Sequence, residues 1–250
     1  YISVATTNAT GIMPNNDYDR YNFSFRNTTN FLNNKFILDT SANYIIQNDK
    51  NMVSQGQYFN PLTSLYLFPR GEDFSDVAVY ERYDDLSGVN TQYWPYGDLG
   101  GVSSQNPYWI MNRMNRENDR RRYKLAASLQ YNIIEGLNVQ GRVSIDNTES
   151  KYTEKFHAGT VGNFAGPKGR YKEENRLDRQ VYADVLANFN KTFNEFNVTA
   201  NLGASIKDLR MELTSLHGDL NNVTNHFTIE NLTRSGYYKV DADGLKRQTQ

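Results

Sequence analysis

His157, His217 and His226 are the residues of this chain best suited to acid–base or metal chemistry, and none stands in a spacing that allows it. A metal-binding HExxH pair needs two imidazoles four residues apart on one helix. These three are isolated and read as exposed loop residues. Glu81, Asp84 and Asp85 suggest paired carboxylates, but with no partner base or metal they read as solvated loop charges. Gly159, Gly162 and Gly166 miss the dinucleotide and phosphate-loop spacings and read as flexible loop glycines. No serine lies in a GxSxG elbow. Cysteine is absent, which removes disulfides, cysteine-held zinc and thiol nucleophiles. The chemistry left is non-covalent recognition. The chain is expected not to be an enzyme and to need no cofactor or metal.

Recognition residues concentrate between Asn48 and Arg121. Tyr58, Phe59, Arg70, Tyr93, Trp94, Tyr96 and Trp109 are the candidates there for contact with a substrate or a protein partner. Exposed rings stack on sugars or anchor protein surfaces. The alternative is that they pack the loop against itself. Arg113, Arg116, Arg120, Arg121, Arg122 and Lys124 form a basic cluster broken by Glu117 and Asp119. With mixed charge and a net charge of −1, no nucleic-acid partner is indicated. The cluster is expected where the long loop enters a strand, either against lipopolysaccharide phosphates or simply solvated. Sequons at Asn8, Asn197 and Asn231 follow from the high Asn and Thr content.

The elements that must position these residues are strands. In Lys35–Gln47 the side chains of Phe36, Leu38, Thr40, Ala42, Tyr44 and Ile46 share one face, opposite Asp39, Ser41, Asn43 and Gln47. The same alternation recurs near 122–133, 137–147, 180–190 and 196–207, more weakly near 18–28, and a strand is expected near 1–7. Each stretch has the length of about 9–11 residues that a membrane-crossing β-strand needs. Polar groups on the second face would be costly to bury in a dry core. No run of about 18 apolar residues exists, so no membrane-crossing helix is expected.

The connections alternate in length. Thr28–Asn34, Ile134–Gly136 and Lys191–Glu195 are short, whereas 48–121, 148–179 and 208–236 are long. Short turns on one side and long loops on the other mark outer-membrane barrels, with the long loops outside the cell. The expected fold is therefore all-β, an antiparallel transmembrane β-barrel segment of about seven strands. Such a set cannot close a wide barrel, because diameter grows with strand number. The chain reads as a fragment of a mature protein, completed by other strands. Asp39, Asn43, Arg142, Asp146 and Asp184 are the expected lumen-facing residues, touching substrate, a plug or each other. A small non-transporting barrel or adhesin, and a secreted carbohydrate-binding β-sandwich, are the alternatives.

The runs YFNPLTSLYLFPRG (Tyr58 to Gly71), QNPYWIMNRMNRENDRRRYKLAASLQYN (Gln105 to Asn132) and ATGIMPNNDYDRYNFSFR (Ala9 to Arg26) resemble the SusC/RagA family of TonB-linked outer-membrane transporters of Bacteroidetes. The resemblance covers nearly the whole chain, most specifically Ala9 to Asp146. It implies a 22-stranded barrel with an N-terminal plug, energised through TonB with ExbB and ExbD. It also implies a SusD-like lipoprotein lid and import of oligosaccharides or oligopeptides. The family's carboxypeptidase-like domain, TonB box, plug and closing strands are not found in these 250 residues.

Overall fold

The computed structural model describes residues 1–52, 56–96, 104–233 and 238–249, the last stretch as backbone. One antiparallel sheet runs in the order β1 (Ile2–Thr10), β2 (Asp17–Phe31), β3 (Phe36–Lys50), β6 (Met114–Ile134), β7 (Leu137–Phe156), β8 (Arg170–Phe193), β9 (Phe196–Asp219) and β10 (Tyr238–Thr249). It is an all-β up-and-down meander, open at β1 and β10, with the architecture of a barrel-wall segment. A small ribbon of β4 (Glu81–Asp84) and β5 (Val89–Gln92) lies in the insertion between β3 and β6.

The short turns are made by residues that tolerate a left-handed backbone. Glu135-Gly136 joins β6 to β7 with Gly136 at φ 83°. A side chain on Gly136 would also strike the Asn190 carbonyl. Asn194, at φ 52°, turns β8 into β9, and Asn33 and Asn34 turn β2 into β3. The two-residue Asn194-Glu195 turn, with positive φ at its first position, is of the hand that matches the twist of the strands it connects.

The register aligns the apolar positions of neighbouring strands into one face. Thr40, Ala127, Val143, Ala183 and Ile206 lie at one level, and Leu38, Leu129, Gly141, Val185 and Ala204 at the next. No described element covers this face: Val185 is 56% exposed and Leu202 79%. At the short-turn end Phe31, Phe36 and Tyr131 stack, with ring centroids 5.3 and 4.6 Å apart. Toward the other end Tyr44 faces Tyr123, and above them the same face becomes charged. Ten residues separate Phe36 from Ile46, about 33 Å along the strand and about 25 Å at a tilt of about 40°.

The strands run further than the alternation indicates, and an eighth, β10, follows where only seven are expected. β6 begins at Met114 rather than near 122, β7 continues to Phe156, β8 begins at Arg170 and β9 continues to Asp219. The connections expected at 48–121, 148–179 and 208–236 shorten to 51–113, 157–169 and 220–237. Above the apolar belt both faces of β6 are polar, and in β9 the apolar residues Leu209, Met211 and Leu213 change to the polar-face side, so the belt's period-two signal is lost while the backbone ladder continues. Cross-strand pairs support it there, such as Lys155 with Glu117 at 2.7 Å and Lys151 with Glu173 at 3.3 Å.

Candidate functional site

Two places deserve the name: the polar face of the sheet and the folded connection above it. The polar face is built by the same register that makes the apolar one. Asp39, Ser128, Arg142 and Asp184 occupy one level, and Asn43, Lys124 and Asp146 lie four residues higher. The register places Asp39, Asn43, Arg142, Asp146 and Asp184 together on this face, and the described structure pairs every one of them with another polar-face residue.

Arg142 grips Asp184 through Nε at 2.9 and 3.1 Å and through its terminal nitrogen at 2.8 Å. The Tyr182 hydroxyl donates to the same carboxylate at 2.6 Å. Arg122 holds Asp146 with two hydrogen bonds of 2.8 and 2.6 Å. Arg26 donates to Asp39 at 2.7 Å, and Asn43 donates to Asn22 and Ser24. Such forks fix side-chain direction, because a planar guanidinium matches a carboxylate in one plane. Small residues at Ser41, Ala126, Ser128 and Ser144 leave a depression of about 310 Å³, walled by Asp39, Lys124, Arg142 and Tyr182.

The connection between β3 and β6 is an ordered cap rather than a loose loop. Its two helices, α1 (Pro61–Leu67) and α2 (Pro107–Arg113), each start with Asn-Pro. Proline presets the first helical turn, and the asparagine carboxamide accepts the orphan backbone N–H two residues on. Asn60 accepts from Leu62 at 3.0 Å, and Asn106 accepts from Tyr108 at 2.9 Å. Asn106 is fully buried and also donates to the Val77 and Tyr93 carbonyls, tying three segments together.

The cap's core is Trp109, Ile110, Met114, Phe156 and Ala165, with Phe59, Tyr80 and Phe164 packed against it. Met114, Phe156 and Arg116 belong to the polar-face side of their strands, so the cap folds over that side. The Arg116 guanidinium lies over the Phe59 ring at 4.6 Å and the Phe156 ring at 5.6 Å, a cation–π arrangement strengthened by desolvation.

The aromatic candidates divide accordingly. Trp109 is fully buried, and its indole N–H donates to Thr160 at 3.0 Å. It is the centre of the cap core, not a contact residue, because packing has removed its surface. Phe59 is half-buried against Phe156 and Phe164. Tyr93 lies under Arg82, 3.4 Å from ring centroid to guanidinium carbon. Trp94, Tyr96 and Phe68 form an edge-on cluster, with centroids 5.1 and 4.8 Å apart, that stays partly open. The Trp94 indole N–H donates to Ser104 at 2.9 Å. Tyr58 is 40% exposed and Arg70 is exposed.

Other expectations are corrected. His157 is half-buried, its ring 5.0 Å from Phe227. Burial, and then the nearby Arg113 charge, lower its pKa to about 4, so it is neutral at pH 7. His226 is exposed, as the sequence indicates. Glu81 is bound by Arg113 through two hydrogen bonds of 2.8 and 2.9 Å, which hold its carboxyl below the usual range. Asp84 closes a turn by accepting from Leu86 and Ser87. Gly159 has φ 87° and lies so close to the Asn90 carbonyl and Thr91 that no side chain fits, so it is a packing glycine. The basic cluster starts where the connection enters β6 and runs on along that strand. Arg116, Arg120, Arg122 and Lys124 fall on the polar-face side within β6, Arg121 on the opposite side, and Arg113 in the cap. Proximity of Arg113 to Glu81 and of Gly159 to β5 is set by tertiary packing and leaves no spacing signal in the sequence.

No protein-family model matches the sequence, and none of the curated proteins does. Solved structures do match. One is described as the RagAB peptide importer in the open-open state, with 12% identity and TM-score 0.67 over 99% of this chain and 26% of that one. Another, the RagAB peptide transporter, matches at 13% identity and TM-score 0.64 over 94% of this chain and 25% of that one. The importer in its closed-closed state matches at 13% identity and TM-score 0.62. The chain therefore shares the β fold of a segment of these transporter chains and spans about a quarter of their length.

Proposed function

We propose that this chain forms part of the wall and extracellular roof of a SusC/RagA-type transporter in a bacterial outer membrane. The observation that carries the reading is the division of one sheet into two faces. An uncovered apolar belt about 25 Å tall, bounded by aromatic rows, backs a face of paired charges. Lipid would cover the first face and an aqueous lumen the second. Arg121, on the outward side just above the belt, would meet lipopolysaccharide headgroups.

The cargo would be an oligosaccharide or an oligopeptide, and the names of the neighbouring structures favour the peptide. Capture would occur under the cap, with a SusD-like lipoprotein as lid. TonB, with ExbB and ExbD, would supply the energy through parts of the protein outside these residues. The chain itself would make and break no covalent bond and need no cofactor. The Arg142–Asp184 and Arg122–Asp146 forks would keep the lumen wall rigid, leaving the open Trp94–Tyr96 cluster to meet cargo or lid.

Uptake of defined oligopeptides and oligosaccharides by a deletion strain, with and without the restored full-length gene, tests this reading. One cargo class should enter only when the gene is present; unchanged uptake across both panels would contradict it. In the same assay Trp94→Ala should weaken capture or lid association several-fold, consistent with loss of one partly exposed aromatic contact. Uptake and lid association both at the normal level would exclude Trp94 from the site.

A further inference from the structure

One row high on the polar face differs from the rows below it. Arg20 on β2, Gln47 on β3, Arg120 on β6, Ser150 on β7 and Arg176 on β8 are in continuous register. Arginines therefore alternate with neutral residues along one level, about 10 Å apart given the spacing of two strands. In the rows below, arginines are matched with acids: Arg26 with Asp39, Arg122 with Asp146, and Arg142 with Asp184. Arg176 is likewise held by Asp178 on its own strand. Arg20 and Arg120 have no ion-pair partner among the described residues. Asp49, two residues along β3 from Gln47 and on the same face, accepts from Gln47 and from Asn118 at 2.9 Å each. Asp19 and Asp119 neighbour them in sequence but lie on the opposite face. Arg120 is exposed and Arg20 half-buried.

We propose that Arg20 and Arg120 form an anion station that selects carboxylate-bearing cargo as it passes beneath the cap. The proposal rests on the transport reading and deepens it by naming the chemistry of the cargo. Two guanidinium forks flanking a neutral carboxamide offer bidentate sites to two carboxylates, or two approaches to one. Carboxylates reach such a site on acidic peptides or on uronic-acid oligosaccharides.

The test compares the full-length protein with its R20Q/R120Q and R20K/R120K variants. The probes are an Asp/Glu-rich and an Asn/Gln-rich hexapeptide, and an oligogalacturonide against a neutral oligosaccharide of equal length. Binding to purified protein in detergent and uptake by cells are measured in parallel. The R20Q/R120Q pair should weaken binding of the acidic member of at least one series about tenfold, a typical scale for losing two partly exposed charge contacts. The neutral member should bind unchanged, and R20K/R120K should restore part of the loss. Wild-type binding that is blind to charge would overturn the proposal. So would equal losses for acidic and neutral probes, which would assign the pair to holding another segment of the protein. Charge-selective binding without uptake would uphold the station while contradicting the transport reading.

Discussion

Trp109→Ala should unfold the cap while leaving the sheet intact. Trp109 is fully buried, lies among Ile110, Met114, Phe156 and Ala165, and donates to Thr160. Truncating a tryptophan in such a core costs about 3–5 kcal/mol, and among the described residues of the cap no second cluster of fully buried hydrophobic side chains absorbs the loss. Its other ties are the half-open ring cluster of Phe68, Trp94 and Tyr96 and polar contacts such as Asn106 to Val77 and Tyr93, and Arg113 to Glu81. The strands below depend on their own ladder. Limited trypsin digestion of the folded full-length protein should therefore cut at Arg70 and Arg82 at least tenfold faster in the variant. Sites within β6 to β9 should stay protected. Trp109→Phe, which keeps most of the volume, should show a smaller acceleration. Equal cleavage rates for wild type and Trp109→Ala would show that the cap is not held by this core.

The second large effect concerns the apolar belt. Val143 and Ser144 are adjacent in β7 but face opposite ways, Val143 beside Ala127 and Ala183, Ser144 beside Ala126 and Tyr182. Val143 sits near the middle of the belt and is 46% exposed. An arginine there would place a cation in hydrocarbon at a cost of about 2–4 kcal/mol. An arginine at Ser144 would enter the polar depression beside Asp39 and Arg142 at little cost. Denaturant unfolding of the full-length protein in lipid vesicles should show a loss of that size for Val143→Arg and less than about 1 kcal/mol for Ser144→Arg. Equal losses at the two positions would mean that the two faces do not meet different solvents.

The sequence carries much of this fold but only where one face is apolar. The belts of β3, β6, β7, β8 and β9 are visible because Leu129 or Val185 alternates with Gln130 or Asp184. The short turns are visible from Gly136 and Asn194. The tops of the strands are not, because Asn115 to Arg121 is polar on both faces and resembles a loop. β10 is less legible because its alternation is short: Tyr238, Val240 and Ala242 oppose Lys239, Asp241 and Asp243 before Gly244 and the Lys246-Arg247 pair break the pattern. On the polar face, residue identity indicates which side chains point inward but not their partners. Arg142 and Asp184 are 42 residues apart in sequence and meet only through the β7–β8 register. Trp109 and His157 are misread as surface residues because an aromatic or imidazole in a long connection carries no mark of burial. Only the Asn-Pro helix starts at Asn60 and Asn106 hint that the connection folds.

The central claim is that one face of this sheet meets lipid and the other water. The absence of cysteine allows single cysteines to be placed at consecutive β6 positions 125 to 130 of the full-length protein and spin-labelled in vesicles. Collision rates with oxygen should peak at 125, 127 and 129, and rates with a water-soluble nickel complex at 126, 128 and 130. Flat profiles for both probes, or a full-length protein that stays folded and monodisperse in plain buffer, would contradict the account.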